Sequence, residues 1–173
     1  MIVVGGGYIG LEMGSVWCRL GSEVTVVEFL DRITPGMDAE VAKYFQRVLT
    51  KQGFKFLLGT KVLGASTNKS TAVLSLASVS KNEESEIKCD TVLLSVGRRP
   101  YTKGLGLETI GLEPDANGLI AVDDSFQTVV SGVYAIGDCI RGAMLAHKAE
   151  EEGTIFAEML AGQAGHINLS LIH

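Results

Sequence analysis

The chain has 173 residues, of which 46% are hydrophobic and 20% charged, and its formal net charge is −5. This length allows one large hydrophobic core or two small ones, and the composition is typical of a globular protein. The negative charge argues against a nucleic-acid partner, because phosphate binding requires clustered lysines and arginines, and Arg98-Arg99 is the sole basic doublet.

Membrane insertion and secretion are also disfavoured. No apolar run is long enough to span a bilayer, and the N-terminus lacks the basic region and cleavage site of a signal peptide. The three cysteines, Cys18, Cys89 and Cys139, have neither CxxC nor metal-ligand spacing, which favours reduced thiols and no metal site. We therefore expect a soluble intracellular protein.

The first predicted elements form a strand–helix–strand unit. Residues 2–4 are an apolar strand end, a glycine-rich turn follows, and residues 8–20 show helical periodicity up to a C-capping Gly21. A second strand at 24–27 ends at Glu28. The residues expected to form the apolar face of the helix are Ile9, Met13, Val16 and Leu20.

The glycines of this turn have the spacing of a dinucleotide-binding motif. Gly5 permits a tight turn, Gly7 lets the backbone approach a pyrophosphate at the helix N-terminus, and Gly10 lets helix and strand pack closely. Glu28 would accept hydrogen bonds from both ribose hydroxyls and repel a 2′-phosphate, which favours NAD(H) over NADP(H). The same glycine spacing occurs in ordinary turns, but the strand–helix–strand context favours a nucleotide site.

The next elements continue a doubly wound parallel α/β pattern of Rossmann type. Asp38 is a predicted N-cap for a helix that ends near Gln52, and residues 54–58 predict a third parallel strand. Between 60 and 89 the hydrophobic period changes to two, which predicts an inserted antiparallel three-stranded meander. Val62 begins this insertion, where it could contact the adenine side of the nucleotide. The expected apolar face of the second helix is Val41, Tyr44, Phe45, Val48 and Leu49.

Two further strands are predicted, and each ends at a candidate ligand position. Residues 91–96 are largely apolar, as in a strand buried on both faces, and end at Gly97, which marks either the cofactor site or a plain turn. Residues 133–136 precede Gly137-Asp138, whose carboxylate could accept a hydrogen bond from a polyol or ribose hydroxyl. His147, at the start of the last predicted helix, is by itself typical of a capping or packing residue. The expected apolar face of that helix includes Leu145, Ala149, Ile155, Phe156 and Leu160.

Six segments of the chain carry a resemblance to known enzymes: GGGYIGLEMGSVW, VTVVE, SVGRRP, GLGLE, VYAIGD and MLAHKAEEEG. Together they resemble the dihydrolipoamide dehydrogenases, a group of the FAD-dependent pyridine nucleotide-disulfide oxidoreductases, over residues 1 to about 168. The resemblance implies a parent enzyme that oxidises protein-bound dihydrolipoyl groups. Its electrons would pass to an enzyme disulfide, then to FAD, and as hydride to NAD⁺.

The resemblance also implies which residues contact each cofactor. The expected NAD contacts are Gly5, Gly6, Gly7, Tyr8, Ile9, Gly10, Leu11, Glu12, Glu28, Val62 and Gly97. The expected FAD contacts are Asp138, Met144, Leu145, Ala146 and His147. Tyr8 stands where relatives place a residue over the flavin beside the nicotinamide, or else it packs on the core, and Glu12 would face a lysine that this chain lacks.

The resemblance also implies an incomplete enzyme. The position of Met1, almost at the start of a strand, leads to the same expectation. Residues 1–114 would form an NAD-binding domain, 115–162 the second segment of an FAD-binding domain, and 163–173 the start of a linker to a dimerisation domain. This sequence has no counterpart of the family's N-terminal FAD glycine motif or of its redox-active cysteine pair. The catalytic His-Glu pair is also missing, since His166 and His173 do not match its pattern. We expect an NAD site, part of an FAD site and no catalytic residue.

The parent would be a homodimer that serves lipoyl-bearing subunits of 2-oxo-acid dehydrogenase or glycine cleavage complexes, in the mitochondrial matrix if it is eukaryotic. Two alternatives stay open. One is a related NAD(P)H-dependent disulfide reductase of the glutathione- or mercury-reducing type, although Glu28 argues against the NADP users. The other is a non-catalytic nucleotide-binding or interaction module.

Overall fold

A computed structural model describes residues 1–81 and 83–163, which belong to two compact units. The first unit is Met1–Gly97 and the second begins at Arg98. The domain limits at 114 and 162 stay predictions. Residues 164–173, which include most of the predicted linker with His166 and His173, lie outside the described residues.

A four-stranded parallel sheet forms the centre of the first unit. Its strands are β1 (Ile2–Val4), β2 (Thr25–Val27), β3 (Lys55–Leu57) and β7 (Val92–Leu94), in the order β3-β2-β1-β7. All neighbours are parallel, and every residue of β1 is buried. Because the strands are parallel, their carboxyl ends lie along one edge of the sheet, where α/β proteins bind ligands.

Helix α1 (Tyr8–Arg19) follows β1, but its predicted apolar face is wrong. Its buried residues are Gly10, Leu11 and Gly14. A Cβ on Gly14 would lie 3.1 Å from the ring of Phe54, so the helix packs too closely for large side chains on this side. Three of the four predicted residues are exposed instead, by 44% at Met13, 51% at Val16 and 71% at Leu20, and Ile9 is half-buried.

Helix α2 (Ala39–Lys51) begins at the predicted cap. The Asp38 carboxylate accepts hydrogen bonds from the amides two and three residues further on, at 2.9 and 3.1 Å. The helix buries Ala42 and Leu49 against the core. The predicted apolar face is therefore wrong in part, because two of its members are 49% and 69% exposed: Val41 and Tyr44.

A three-stranded antiparallel sheet lies between the third and fourth parallel strands in sequence, as predicted. It consists of β4 (Thr60–Asn68), β5 (Thr71–Ser78) and β6 (Glu84–Cys89), with β5 in the middle. Alternate residues of β5 are buried and pack against the parallel sheet in a shared core. The predicted fold class, α/β with a parallel sheet and an antiparallel three-stranded insertion, is confirmed.

The prediction of a strand buried on both faces at 91–96 is wrong. β7 lies at the edge of the parallel sheet and pairs on one side with β1 alone. Leu94 is 70% exposed and Val96 is 67% exposed. A continuous apolar run does not distinguish a central strand from an edge strand, since pairing partners determine the difference.

The second unit contains less regular structure than the sequence predicts. The strand expected at 133–136 is absent from the described residues, where Tyr134 forms only an isolated antiparallel bridge with Gln127. A short 3-10 turn at Gly137–Cys139 follows. A strand needs a neighbouring strand for its backbone groups, and one bridge does not provide a ladder.

Helix α3 (Ala146–Leu160) ends the described part of this unit. Its two most buried residues are not apolar: they are Lys148 and Glu152. Phe156 packs against Phe126 with ring centroids 6.3 Å apart, as the predicted apolar face requires. Leu160 is 65% exposed, however, so the predicted face is wrong at that end.

None of the helices within residues 1–81 and 83–163 is long and apolar enough to cross a membrane. The same residues contain no cluster of three or more His, Cys, Asp or Glu side chains that could hold a metal ion.

Candidate functional site

Two glycines at the turn between β1 and α1, Gly5 and Gly10, have no room for a side chain. Gly5 has φ 107°, and its amide donates to the carbonyl of Val27 at 2.9 Å, which fixes the turn to the end of β2. A Cβ on Gly10 would lie 2.5 Å from the Gly5 carbonyl oxygen and 2.5 Å from the Ser95 hydroxyl. That hydroxyl donates to the carbonyl of Val4 at 2.9 Å, so β7 also supports the turn.

Gly7 differs from these glycines because it faces open space. A Cβ built on Gly7 would meet no atom within 4 Å. Gly7 is the N-cap of α1, yet no side chain caps the helix and no acidic residue lies in its first turn. The backbone amides at this helix start are therefore available to a negatively charged group, as pyrophosphate binding requires.

Glu28 follows β2 and contacts the same turn. One carboxylate oxygen, Oε2, accepts from the amide of Gly6 at 2.6 Å, and the other, Oε1, accepts from the amide of Leu30 at 2.8 Å. The side chain is half-buried. A carboxylate has about four lone-pair positions, so each oxygen can accept one further hydrogen bond from a ligand hydroxyl.

A residue that sequence reasoning missed holds the other side of the turn. The amide of Thr34 donates to the carbonyl of Gly6 at 2.9 Å. Thr34 is 5% exposed and has φ 44°, a conformation that is uncommon for a β-branched residue. Within the described part of the chain its hydroxyl has no hydrogen-bond partner. No sequence pattern singles out this position, because the contact is made by the backbone.

Replacing Thr34 with valine should stabilise the protein. The Thr34→Val substitution removes a buried, unpaired hydroxyl and keeps the side-chain shape, so we expect the free energy of unfolding to rise by about 1 kcal/mol. Thr128→Val is the matched control, because the Thr128 hydroxyl donates to the carbonyl of Val130 at 3.2 Å and accepts from its amide at 3.1 Å. Urea unfolding should show a loss for the control, and a loss for Thr34→Val would contradict this interpretation.

The other predicted residues of α1 differ in exposure. Tyr8 is 56% exposed, so the alternative in which it packs on the core is wrong. Ile9 is half-buried and Glu12 is exposed. Leu11 is 1% exposed and belongs to the core, and its amide donates to the carbonyl of Gly7 at 3.1 Å.

Val62 and Gly97 complete the set predicted in the first unit. Val62 is half-buried and packs against the core cluster that contains Val27, the residue before Glu28. Gly97 is exposed, has φ 119°, and lies two residues after Ser95. Both therefore lie close in sequence or in space to elements that form the turn.

In the second unit, the structure brings together two of the predicted FAD contacts through an arginine that sequence reasoning missed. Asp138 lies on the 3-10 turn with its side chain 48% exposed. Nη1 of Arg98 is 3.9 Å from the Asp138 carboxylate and donates to the carbonyl of Met144 at 2.7 Å. Leu145 is the N-cap of α3 and has no side-chain cap. The next two predicted contacts are exposed in the first turn of α3: Ala146 and His147.

The three cysteines do not form a redox pair. All are free thiols, located in α1, at the end of β6 and in the 3-10 turn: Cys18, Cys89 and Cys139. Disulfide exchange requires two sulfurs that can bond to each other. Within residues 1–81 and 83–163, each of the three cysteines is a free thiol.

The chain is similar in sequence to known oxidoreductases. The family model described as pyridine nucleotide-disulphide oxidoreductase matches residues 1–153. The chain is 53% identical over 173 residues to the mitochondrial dihydrolipoyl dehydrogenase of Caenorhabditis elegans, covering 99% of this chain and 35% of that protein. It is 56% identical over 168 residues to the leghemoglobin reductase of Vigna unguiculata, covering 97% of this chain and 32% of that protein.

Solved structures show the same fold. The crystal structure of LpdA from Mycobacterium tuberculosis matches with a TM-score of 0.83 and 27% identity, covering 97% of this chain and 36% of that one. The HOCl-induced flavoprotein disulfide reductase RclA from Escherichia coli matches with a TM-score of 0.84 and 26% identity, covering 95% and 37%. The chain spans about a third of the length of the curated relatives it matches. Because the family model covers most of its residues, the chain belongs to the pyridine nucleotide-disulphide oxidoreductase family.

Proposed function

We propose that this chain is the NAD(H)-binding part of a dihydrolipoyl dehydrogenase, joined to one segment of the enzyme's FAD site. The observation that carries the proposal is the position of the Glu28 carboxylate, which is hydrogen-bonded to the amide of Gly6 beside the open helix start at Gly7. A dinucleotide-binding site of this type places the pyrophosphate at a helix N-terminus and the ribose beside a carboxylate. The NAD-binding domain is taken as residues 1–114 and the FAD segment as 115–162.

The charge at this position supports NAD(H) over NADP(H). The Glu28 carboxylate can accept the two ribose hydroxyls, whereas a 2′-phosphate would place like charges in contact. Within the described residues of the first unit, the Glu28 carboxylate accepts from two backbone amides and from no arginine that could offset the repulsion.

The second unit fits one part of a flavin site. The half-exposed Asp138 carboxylate is suited to accept a hydrogen bond from a polyol hydroxyl. The N-cap of α3, Leu145, lies seven residues after Asp138 in the chain and has no side-chain cap. The residues that would contact FAD are Asp138, Met144, Leu145, Ala146 and His147. When bound, FAD supplies two-electron transfer between a dithiol and nicotinamide.

The whole parent enzyme would oxidise protein-bound dihydrolipoyl groups. This is supported by the identity of about half of the residues to relatives named dihydrolipoyl dehydrogenase, several of them mitochondrial. Its partners would be the lipoyl-bearing subunits of 2-oxo-acid dehydrogenase or glycine cleavage complexes, in the mitochondrial matrix for a eukaryotic parent, with a homodimeric enzyme.

The chain alone should bind NADH and catalyse nothing. We expect no dihydrolipoamide-dependent reduction of NAD⁺ with added FAD, because the three thiols are separate and free. The measurement is absorbance at the NADH band, with a complete dihydrolipoyl dehydrogenase as the positive control. Turnover by the purified chain would contradict the proposal that the chain binds NADH without catalysing the reaction. Failure to bind NADH would favour a module that does not bind nucleotides.

A further inference from the structure

A buried ion pair on α3 is not accounted for by the proposed cofactor contacts. Nζ of Lys148 lies 2.8 Å from Oε1 of Glu152, one helical turn away, and the two side chains are 3% and 2% exposed. Removing two charges from water is costly, and a well-packed apolar pair at such positions is often at least as stable. A role in stability alone therefore does not explain the pair.

Both charged groups bind the same residue. The second oxygen of Glu152, Oε2, accepts from the amide of Gly137 at 2.7 Å. Nζ of Lys148 donates to the carbonyl oxygen of Gly137 at 3.3 Å. The pair thus holds the backbone of Gly137 by its donor and its acceptor at once, and the i,i+4 spacing brings both groups to one face of the helix.

The residue held in this way has a conformation that few side chains adopt. Gly137 is buried and has φ 77°, and a Cβ there would lie 3.3 Å from the Cβ of Ala149. The loop after the turn is shaped by the same lysine, because a Cβ on Gly142 would lie 2.6 Å from Cε of Lys148. The lysine stem therefore leaves no room for a side chain at Gly142, and Ala149 leaves little at Gly137.

We propose that Lys148 and Glu152 form a positioning pair that fixes Gly137 and thereby directs the Asp138 carboxylate toward a polyol of the flavin. Asp138 is the next residue in the chain, and its side chain is 48% exposed. The flavin part of this inference rests on the proposed function. The hold on Gly137 rests on the described contacts alone.

Three variants of the full chain test the proposal. Lys148→Met with Glu152→Leu removes both charges and keeps apolar volume, so folding should be retained. Lys148→Met with Glu152→Gln restores an uncharged acceptor for the amide of Gly137. Glu151→Gln is the matched control, because Glu151 is exposed on the same helix.

Two readouts separate positioning from simple stability. Amide exchange followed by NMR reports the hold on Gly137, and flavin fluorescence titration reports FAD binding. In the first double variant we expect Gly137 to exchange about 10- to 100-fold faster, as for loss of a hydrogen bond to a charged acceptor. FAD affinity should fall at least about tenfold with an unchanged unfolding midpoint, and the glutamine variant should recover most of both.

The outcomes distinguish this inference from the proposed function. Unchanged exchange at Gly137 in the first double variant would overturn the positioning pair. Faster exchange with unchanged FAD affinity would also overturn it, because the turn would then not direct Asp138. If the wild-type chain binds no FAD, the directing role of the pair is overturned for this chain, whereas NADH titration still tests the proposed function and the exchange rate of Gly137 tests the hold.

Discussion

Gly10→Ala should destabilise the first unit by about 3 kcal/mol in the free energy of unfolding. The added Cβ would lie 2.5 Å from the carbonyl oxygen of Gly5 and 2.9 Å from Cγ1 of Val3. Both are held in the sheet or in the turn, so neither can move without disturbing β1. Urea unfolding followed by circular dichroism measures the loss, and a variant of wild-type stability would contradict the close approach of α1 and β1.

Gly7→Ala is the matched control within the same turn. Its Cβ would meet no atom within 4 Å, and Gly7 has φ −76° and ψ 171°, which alanine adopts readily. We expect stability within about 1 kcal/mol of wild type, because alanine is a weaker N-cap than glycine but loses less entropy on folding. NADH affinity should nevertheless fall about tenfold, since the methyl group would occupy the space through which a pyrophosphate approaches the helix start.

Glu28→Gln should weaken NADH binding about 10- to 100-fold, the effect of one lost hydrogen bond to a charged acceptor. A glutamine has a single side-chain oxygen, whereas the carboxylate accepts from the amides of Gly6 and Leu30 and would also accept ribose hydroxyls. The same substitution should lower the ratio of NADH affinity to NADPH affinity, because it removes the charge that repels a 2′-phosphate.

Glu23→Gln provides the control for charge at the other end of β2. The Glu23 side chain is 88% exposed and pairs with Lys55 at 3.1 Å, in a surface ion pair of the kind that contributes little to stability. Calorimetric titration should give wild-type NADH affinity for this control. Equal affinities for Glu28→Gln and wild type, with both proteins folded by circular dichroism, would exclude Glu28 from the ribose site.

The elements that the sequence predicts correctly are those with local causes. The strand at 2–4, the cap at Asp38 and the three-stranded meander follow from hydrophobic period, from a capping side chain and from turn residues close in the chain. The glycine turn was also predictable from its spacing, because a positive φ at Gly5 and the close approach of neighbouring atoms at Gly10 exclude most other residues.

The errors all concern partners that are distant in sequence. The buried face of α1 is set by the closeness of β1 and Phe54, which favours Gly10 and Gly14 over the larger residues of the apolar stripe. β7 is at the sheet edge, and 133–136 lacks a neighbouring strand among the described residues. Hydrophobic period in a sequence does not contain this information.

Polar contacts show the same limit within the candidate site. Glu28 was predictable from its place after β2, but its hold on the amide of Gly6 depends on the folded turn. The Lys148–Glu152 pair has an i,i+4 spacing that is visible in the sequence, although such pairs usually lie on exposed helix faces. Only its burial beside Gly137 indicates a positioning role.

Calorimetric titration of the purified chain with NADH and, separately, with NADPH tests whether the chain binds NAD(H) in preference to NADP(H). We expect one NADH site per chain and at least about tenfold weaker binding of NADPH, because the Glu28 carboxylate would accept ribose hydroxyls and repel a 2′-phosphate. No heat of binding with NADH, or equal affinity for the two nucleotides, would contradict it.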